Sequence, residues 1–388
     1  MITLNSLVKN SDDFLKSAVE IANYYGFLPI ESVLNGYGKT RKSSKLKSVT
    51  QHIDYSGDEK EFAGVMRSYI EHGFSKLVQP TLFYNNKSNK NEISFSLQVI
   101  GTKKSVAEAI LLKTALAILD ELGIGNTCVH INSIGDKDSI ARYSKELTNY
   151  LRKRIEDLPE QTRQLMKKDV LFAYRDLTSR EHELCQGAPN TMQFLTEASR
   201  THLREVLEYL ESANIRYEID TSLVGVSDCH AKTLFEIKNM PDEESKEIEV
   251  FARGGRFDEL SRRAFRYDIP AAGVTITCER KGRLNKSYEP KKPRRPKVCF
   301  IQLGFGAKLK SLLVIEALRK SKVPIYQTLG YERLNDQLVL AEEMQIPYAV
   351  IMGQKEAIDE AVIVRNLDTR SQSTISISDL PSYLKTIK

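Results

Sequence analysis

Two sets of residues in this 388-residue chain have the types and spacing to do chemistry. The first is the adjacent pair Cys229-His230, a thiol beside an imidazole, the pairing used in nucleophilic catalysis. Adjacent residues of a strand point to opposite faces, so these two cannot pair directly. The lone histidines His52, His72, His130, His182 and His202 are scattered and support no metal site. The five cysteines, at 128, 185, 229, 278 and 299, are odd in number and have no metal-ligand spacing. They fit reduced, partly buried thiols, which implies a cytoplasmic protein. The second set is cationic. Lys39, Arg41, Lys42, Lys45 and Lys47 lie among glycine and serines, and Lys286, Lys291, Lys292, Arg294, Arg295 and Lys297 share a stretch with Pro290, Pro293 and Pro296. Such runs suit nucleic-acid phosphates, although basic loops are often only solvated.

The elements that must position these residues can be read from periodicity. With 41% hydrophobic and 28% charged residues, the composition is that of a globular protein and not of a disordered one. No apolar run reaches the ~18 residues that span a bilayer. The start, Met1 to Asn5, lacks a basic segment followed by an apolar one, so no signal peptide is expected. Lys plus Arg total 57 against 51 Asp plus Glu; the net charge of +6 permits a polyanionic partner without requiring one.

A first helix is expected with Ser11 as its cap, Phe14, Ala18, Ile21, Ala22 and Tyr25 on one face, and Gly26 as its stop. Residues 83–101 predict two strands around a turn at Asn85 to Asn89, the second half-buried. A helix that is apolar almost all round follows over 105–122, and hence is buried. Strands are expected at 128–132, 216–220, 233–238 and 247–252, mainly antiparallel, with amphipathic helices at 139–158 and 199–213. Residues 282–297 form a basic, proline-stiffened linker. Beyond it, strands at 298–303, 324–328, 348–352 and 361–367 alternate with helices at 306–320 and 334–345. A last helix begins near Ser378, with Pro381 in its first turn. The expected organisation is therefore a core over 1–281, a linker over 282–297 and an α/β domain over 298–388.

Three strings in that core resemble the histidyl-tRNA synthetases, a class II family. They are Ala63-Gly64-Val65-Met66-Arg67-Ser68-Tyr69, Ile131-Asn132-Ser133-Ile134-Gly135, and Ala252-Arg253-Gly254-Gly255-Arg256-Phe257-Asp258. The last leads into Pro270-Ala271-Ala272-Gly273-Val274 and on to Cys278-Glu279-Arg280, which looks like the family's motif 3. Gly353-Gln354-Lys355-Glu356 and Val362 to Leu367 look like parts of its anticodon-binding domain. Any one string is weak, but their order and spacing match over nearly the whole chain. The resemblance implies an α+β class II core, an antiparallel sheet with helices, followed by an α/β anticodon-binding-like domain.

It also implies losses. The family activates histidine with ATP, meeting the substrate's ammonium with a glutamate and a threonine and the α-phosphate with an arginine. In register, this chain has Lys60 and Phe62 at the first two places and Tyr84 after Phe83 at the third, with Asn86 replacing an acidic residue. No arginine lies between Arg67 and Arg142. The family's histidine-specific string becomes Leu223-Val224-Gly225-Val226-Ser227-Asp228-Cys229-His230, so Gly225 replaces the catalytic arginine and Cys229 and His230 replace two tyrosines. Arg280 and Arg256 remain as candidate remnants of an ATP site, ATP being the candidate cofactor; no metal is expected. Each lost transition-state donor costs ~100- to 1,000-fold in rate.

The expected function is thus a pseudoenzyme paralogue, without histidine activation, that binds tRNA-like RNA or a protein partner, with Tyr326 and Tyr331 as platforms for unstacked bases. A homodimer is expected through the motif 1-like string Tyr24 to Glu31. The alternatives are an active, divergent histidine–tRNA ligase and a regulatory subunit like that of ATP phosphoribosyltransferase, a family that usually lacks the C-terminal domain.

Overall fold

The structure, a computed structural model, describes residues 10–30, 58–77, 80–225, 229–240, 248–282 and 296–387. Helix α1 (Ser11–Tyr24) buries Phe14, Ala18, Ile21 and Ala22, as the spacing predicts. Its cap is Asn10, whose Oδ1 accepts from the Asp12 amide at 3.1 Å, and not Ser11. Ser11 is buried instead, because its backbone and hydroxyl are bonded to Lys281, which ties the start of the chain to the far end of the core. Gly26, at φ +85°, turns the chain out of the helix, a conformation that costs an L side chain strain. The two-residue strand β1 (Leu28–Pro29) follows.

Helix α2 (Asp58–Glu71) precedes the hairpin β2 (Thr81–Ser88) and β3 (Glu92–Ile100). The turn lies at 89–91, later than the polar run suggests. Asn85 to Ser88 continue the ladder opposite Ser96 to Ile93, and the Asn89 side chain closes the turn by accepting from the Asn91 and Glu92 amides. Helix α3 (Val106–Glu121) is buried along nearly its whole length. Then come β4 (Thr127–Gly135), α4 (Lys137–Arg152), and the paired helices α5 (Glu160–Lys168) and α6 (Val170–Ser179), which the periodicity did not reveal. Helix α7 (Glu197–Ser212), β5 (Tyr217–Ile219), β6 (Ala231–Asn239), β7 (Val250–Arg256), α8 (Asp258–Phe265) and β8 (Ala271–Glu279) complete the core. The strands form one sheet in the order β1-β2-β3-β8-β7-β6-β4-β5. It is antiparallel except at its two rims, where β1 runs parallel to β2 and β5 parallel to β4. Helix α3 covers one face, and α2 and α8 cover the other at the β3–β8 end.

A second sheet begins at β9 (Val298–Gln302). Helix α9 (Phe305–Lys320), β10 (Ile325–Gln327), α10 (Leu334–Glu343), β11 (Tyr348–Met352), α11 (Gln354–Ile358), β12 (Ala361–Asn366), β13 (Gln372–Ser376) and α12 (Leu380–Thr386) follow. The order is β10-β9-β11-β12-β13, parallel around β9 and antiparallel beyond β11. The short α11 and the exposed, polar edge strand β13 carry too few apolar residues to be read in advance. No helix among the described residues is long and apolar enough to cross a membrane.

The two sheets share one continuous apolar cluster. Tyr24 donates to the Val323 carbonyl at 2.9 Å, Tyr25 to Glu316 at 2.7 Å, and Gln327 to the Tyr25 carbonyl at 2.8 Å. The motif 1-like string is therefore mostly used inside the chain. Of its apolar residues from Tyr25 to Ile30, Leu28 alone is well exposed, at 50%. Glu31 lies outside the described residues.

Candidate functional site

The lettered alternation of β3 builds the site floor. Ile93, Phe95, Leu97 and Val99 face the α3 side, whereas Ser96 and Gln98 face α2 and are also buried. This strand is thus covered on both faces, because α2 lies across its polar side. From α2, Glu61 reaches down to that floor: its Oε1 accepts from Asn85 Nδ2 at 2.7 Å and from Ser96 Oγ at 2.5 Å. With the Ser96 proton given to Glu61, Thr275 Oγ1, 2.9 Å away, donates to Ser96. Gln98 donates to Asn85 Oδ1 at 3.0 Å, and its own Oε1 is buried without a partner among the described residues. Sequence reading missed this network. Its signal was the alternation of Ser94, Ser96 and Gln98 in a strand whose other face is wholly apolar.

Strand alternation also corrects the register drawn through β2. Tyr84 does not face this floor; its ring stacks on Phe95 at 5.3 Å, on the opposite side of the sheet. Asn85 is the residue that β2 presents to the site. Asn86 is exposed beside the hairpin end.

Beside the polar floor the space is filled. The Phe62 ring lies on bare backbone of β8: a Cβ on Gly273 would stand 2.2 Å from Phe62 Cε1. It packs against Phe257 at 4.1 Å between centroids, and His230 packs against the same ring at 4.9 Å. A Cβ on Gly225 would meet His230 Cβ at 2.6 Å, so a side chain at 225 has no room while His230 holds this position. Cys229 is fully buried in the cluster of Phe62, Met66 and Leu260, and its carbonyl accepts from the Leu260 amide at 3.1 Å. The thiol and imidazole thus serve packing with different neighbours. Lys60, one residue before Glu61, is exposed. A cavity of about 10 Å³ remains among Phe62, Met66, Gln98 and Phe257. That is at the lower limit for a single water, on the order of 10–15 Å³.

The two arginines expected as ATP contacts have other tasks. Arg256 is fully buried. It donates to Asp258 through Nε and Nη2, to Glu108 at 3.0 Å and the Lys104 carbonyl through Nη1, and to the Thr102 carbonyl at 2.6 Å through Nη2. Those contacts engage all five of its N–H groups, so it holds β7 to the start of α3 rather than facing a ligand. Arg280 is partly buried; its amide donates to the Asn91 carbonyl and its Nη1 to the Asn89 carbonyl, each at 2.8 Å, clasping the β2–β3 turn. Among the described residues no group of three or more His, Cys, Asp or Glu side chains could hold a metal ion.

The cations proposed for nucleic acid, Lys39, Arg41, Lys42, Lys45, Lys47, Lys286, Lys291, Lys292, Arg294 and Arg295, lie outside the described residues; Lys297 is exposed. Tyr326 and Tyr331 are less available for stacking than their spacing suggests. Both are partly buried.

With this geometry in view, comparison with known proteins is informative. Residues 298–387 match the model of an anticodon binding domain. The histidine–tRNA ligase of Halalkalibacterium halodurans is 26% identical over 338 residues, 83% of this chain and 78% of that protein. The histidine–tRNA ligase of Rhodospirillum rubrum is 26% identical over 95% of this chain and 93% of its own. Among solved structures, apo histidyl-tRNA synthetase of S. aureus aligns over 92% of this chain and 95% of its own, at 21% identity and a TM-score of 0.47.

Proposed function

Since the chain belongs to the histidyl-tRNA synthetase family, of class II, we propose that it is a paralogue that does not activate histidine and that works by binding RNA or a protein through the inherited scaffold. The observation that carries this reading is the packing of Phe62 onto Gly273 and Phe257, where the resemblance puts acceptors for the substrate's ammonium. A phenyl ring offers no acceptor, and the space beside it takes no more than a water. The glycine at 225, with His230 against it, supports the same reading, since the arginine that meets developing charge is missing.

The second reading, an active divergent ligase, draws on the polar floor. Glu61 brings a carboxylate to the site one residue away from where the family has it. Its Oε1 already accepts from Asn85 and Ser96, so it serves the floor before it serves a ligand. A regulatory subunit of the ATP phosphoribosyltransferase kind fits less well, because residues 298–387 match an anticodon binding domain. ATP stays a candidate ligand through Arg280, the one of the two expected arginines that is not fully buried.

The RNA part of the proposal rests on the eleven cations of the two basic segments together with the C-terminal domain. If about half of them contact phosphates, affinity for bulk tRNA falls on the order of a thousandfold between ~50 and ~200 mM salt. Filter binding of total tRNA across that range is the test. Neutralising Lys291, Lys292, Arg294 and Arg295 together should weaken binding and flatten the slope. No retention of tRNA at low salt, or an unchanged slope in that variant, contradicts RNA binding.

A further inference from the structure

A cleft of about 400 Å³ lies between the core and the C-terminal domain, walled by α3, the turn after it, the end of α7 and the C-terminal half of α9. That volume lies in the range of small-molecule sites, which favour domain interfaces. Its charges are not balanced among themselves. Glu316 is already committed, accepting from Tyr25 at 2.7 Å and from Arg319 at 2.9 and 3.0 Å. The second amino group of Arg319 is turned away to Glu121 at 3.2 Å. Lys320 at the rim stands 3.6 Å from Asp120 and 3.7 Å from Glu316, two long contacts that leave it 62% exposed and open to a ligand. What is left facing the space is the half-buried Lys113, which makes no hydrogen bond or ion pair among the described residues although Glu316 and Asp120 line the same cleft, with the exposed Lys320 and Arg216 flanking the mouth.

Burial holds the Lys113 amine below the usual lysine range, and the neighbouring Glu316 offsets this only in part. A desolvated ammonium without hydrogen bonds is costly, and a bound anion supplies what it lacks. We propose that this interdomain cleft binds a small phosphorylated metabolite, its phosphate held by Lys113 inside and by Lys320 and Arg216 at the mouth. Lys113 and Arg216 belong to the core and Lys320 to the C-terminal domain, so the ligand would fasten the two together. The site is separate from the one filled by Phe62, and it stands whether or not histidine is activated.

The test uses the full-length chain and four probes: inorganic phosphate, pyrophosphate, ribose 5-phosphate and AMP, each followed by calorimetry and thermal unfolding. At least one should bind and raise Tm, as a ligand of the folded state must. Lys113→Met should weaken that binding by about tenfold or more, equivalent to about 1.4 kcal/mol. Should Lys113→Met fail to fold, the double variant Lys320→Gln, Arg216→Gln carries the same expectation. The proposal is overturned if none of the four probes binds at ~10 mM, a concentration far above a useful Kd. It is equally overturned if the folded variant binds as the parent does, since binding then lies elsewhere.

Discussion

Glu108 shows what one residue can hold together in this fold. It is fully buried, and its carboxylate meets Arg256 Nη1 at 3.0 Å, His202 Nε2 at 2.6 Å and Thr233 Oγ1 at 2.7 Å. Burial alone would raise its pKa, but the charges of Arg256 and His202 and the hydrogen bonds outweigh it and hold the group at about 2. The folded value is below the ordinary 4.5, so ionisation of Glu108 contributes stability that is fully present above that pH. The contribution is lost as pH falls from about 4.5 towards 2. Glu108→Gln removes one of the two carboxylates that face the buried Arg256, Asp258 being the other, which should cost up to about 3–5 kcal/mol at neutral pH. It should also remove part of the acid sensitivity. Urea unfolding at pH 7 and along an acid series measures both; a cost below about 1 kcal/mol would contradict the role assigned to this pair. Half of this node was legible in advance. Arg256 and Asp258 stand out in a glycine turn, but Glu108 is 148 positions from Arg256, and only its presence in an otherwise apolar helix marked it.

At the scale of elements, β3 and α2 decide what the site can be. The hydrophobic alternation of β3 fixed its core face correctly, yet suggested an exposed second face. The tertiary cover supplied by α2 is not a property of the strand's own residues, so it could not be read from them. For the same reason the register through Phe83 put Tyr84 in the site, where a period of two puts Asn85. Helix α2 then closes the site with Phe62, which is 4% exposed. Phe62→Ala should cost about 3–5 kcal/mol, the usual range for removing a buried phenyl ring. Thermal unfolding together with chemical denaturation checks it. A cost under about 1 kcal/mol would mean that the ring does not fill the site as described.

Across the whole molecule, the family resemblance read the broad plan well: an antiparallel core sheet, then an α/β domain starting at Val298. Its motif 1-like string is turned largely inward, onto the chain's own α9 and β10, which leaves Leu28 as its main exposed apolar residue. A homodimer is therefore proposed on the family likeness rather than on that string. Light scattering at micromolar concentration should give twice the 44.1 kDa of one chain, and a monomer at all concentrations would refute it. We propose that the places the family uses to bind and activate histidine here serve packing, through Phe62 and through His230, which fills the space beside Gly225. Histidine-dependent exchange of labelled pyrophosphate into ATP reports adenylate formation directly, and needs neither tRNA nor a partner. A site packed in this way gives no exchange above the histidine-free control; exchange at a rate near that of ordinary synthetases, on the order of 1–1,000 per second, would contradict the loss of histidine activation.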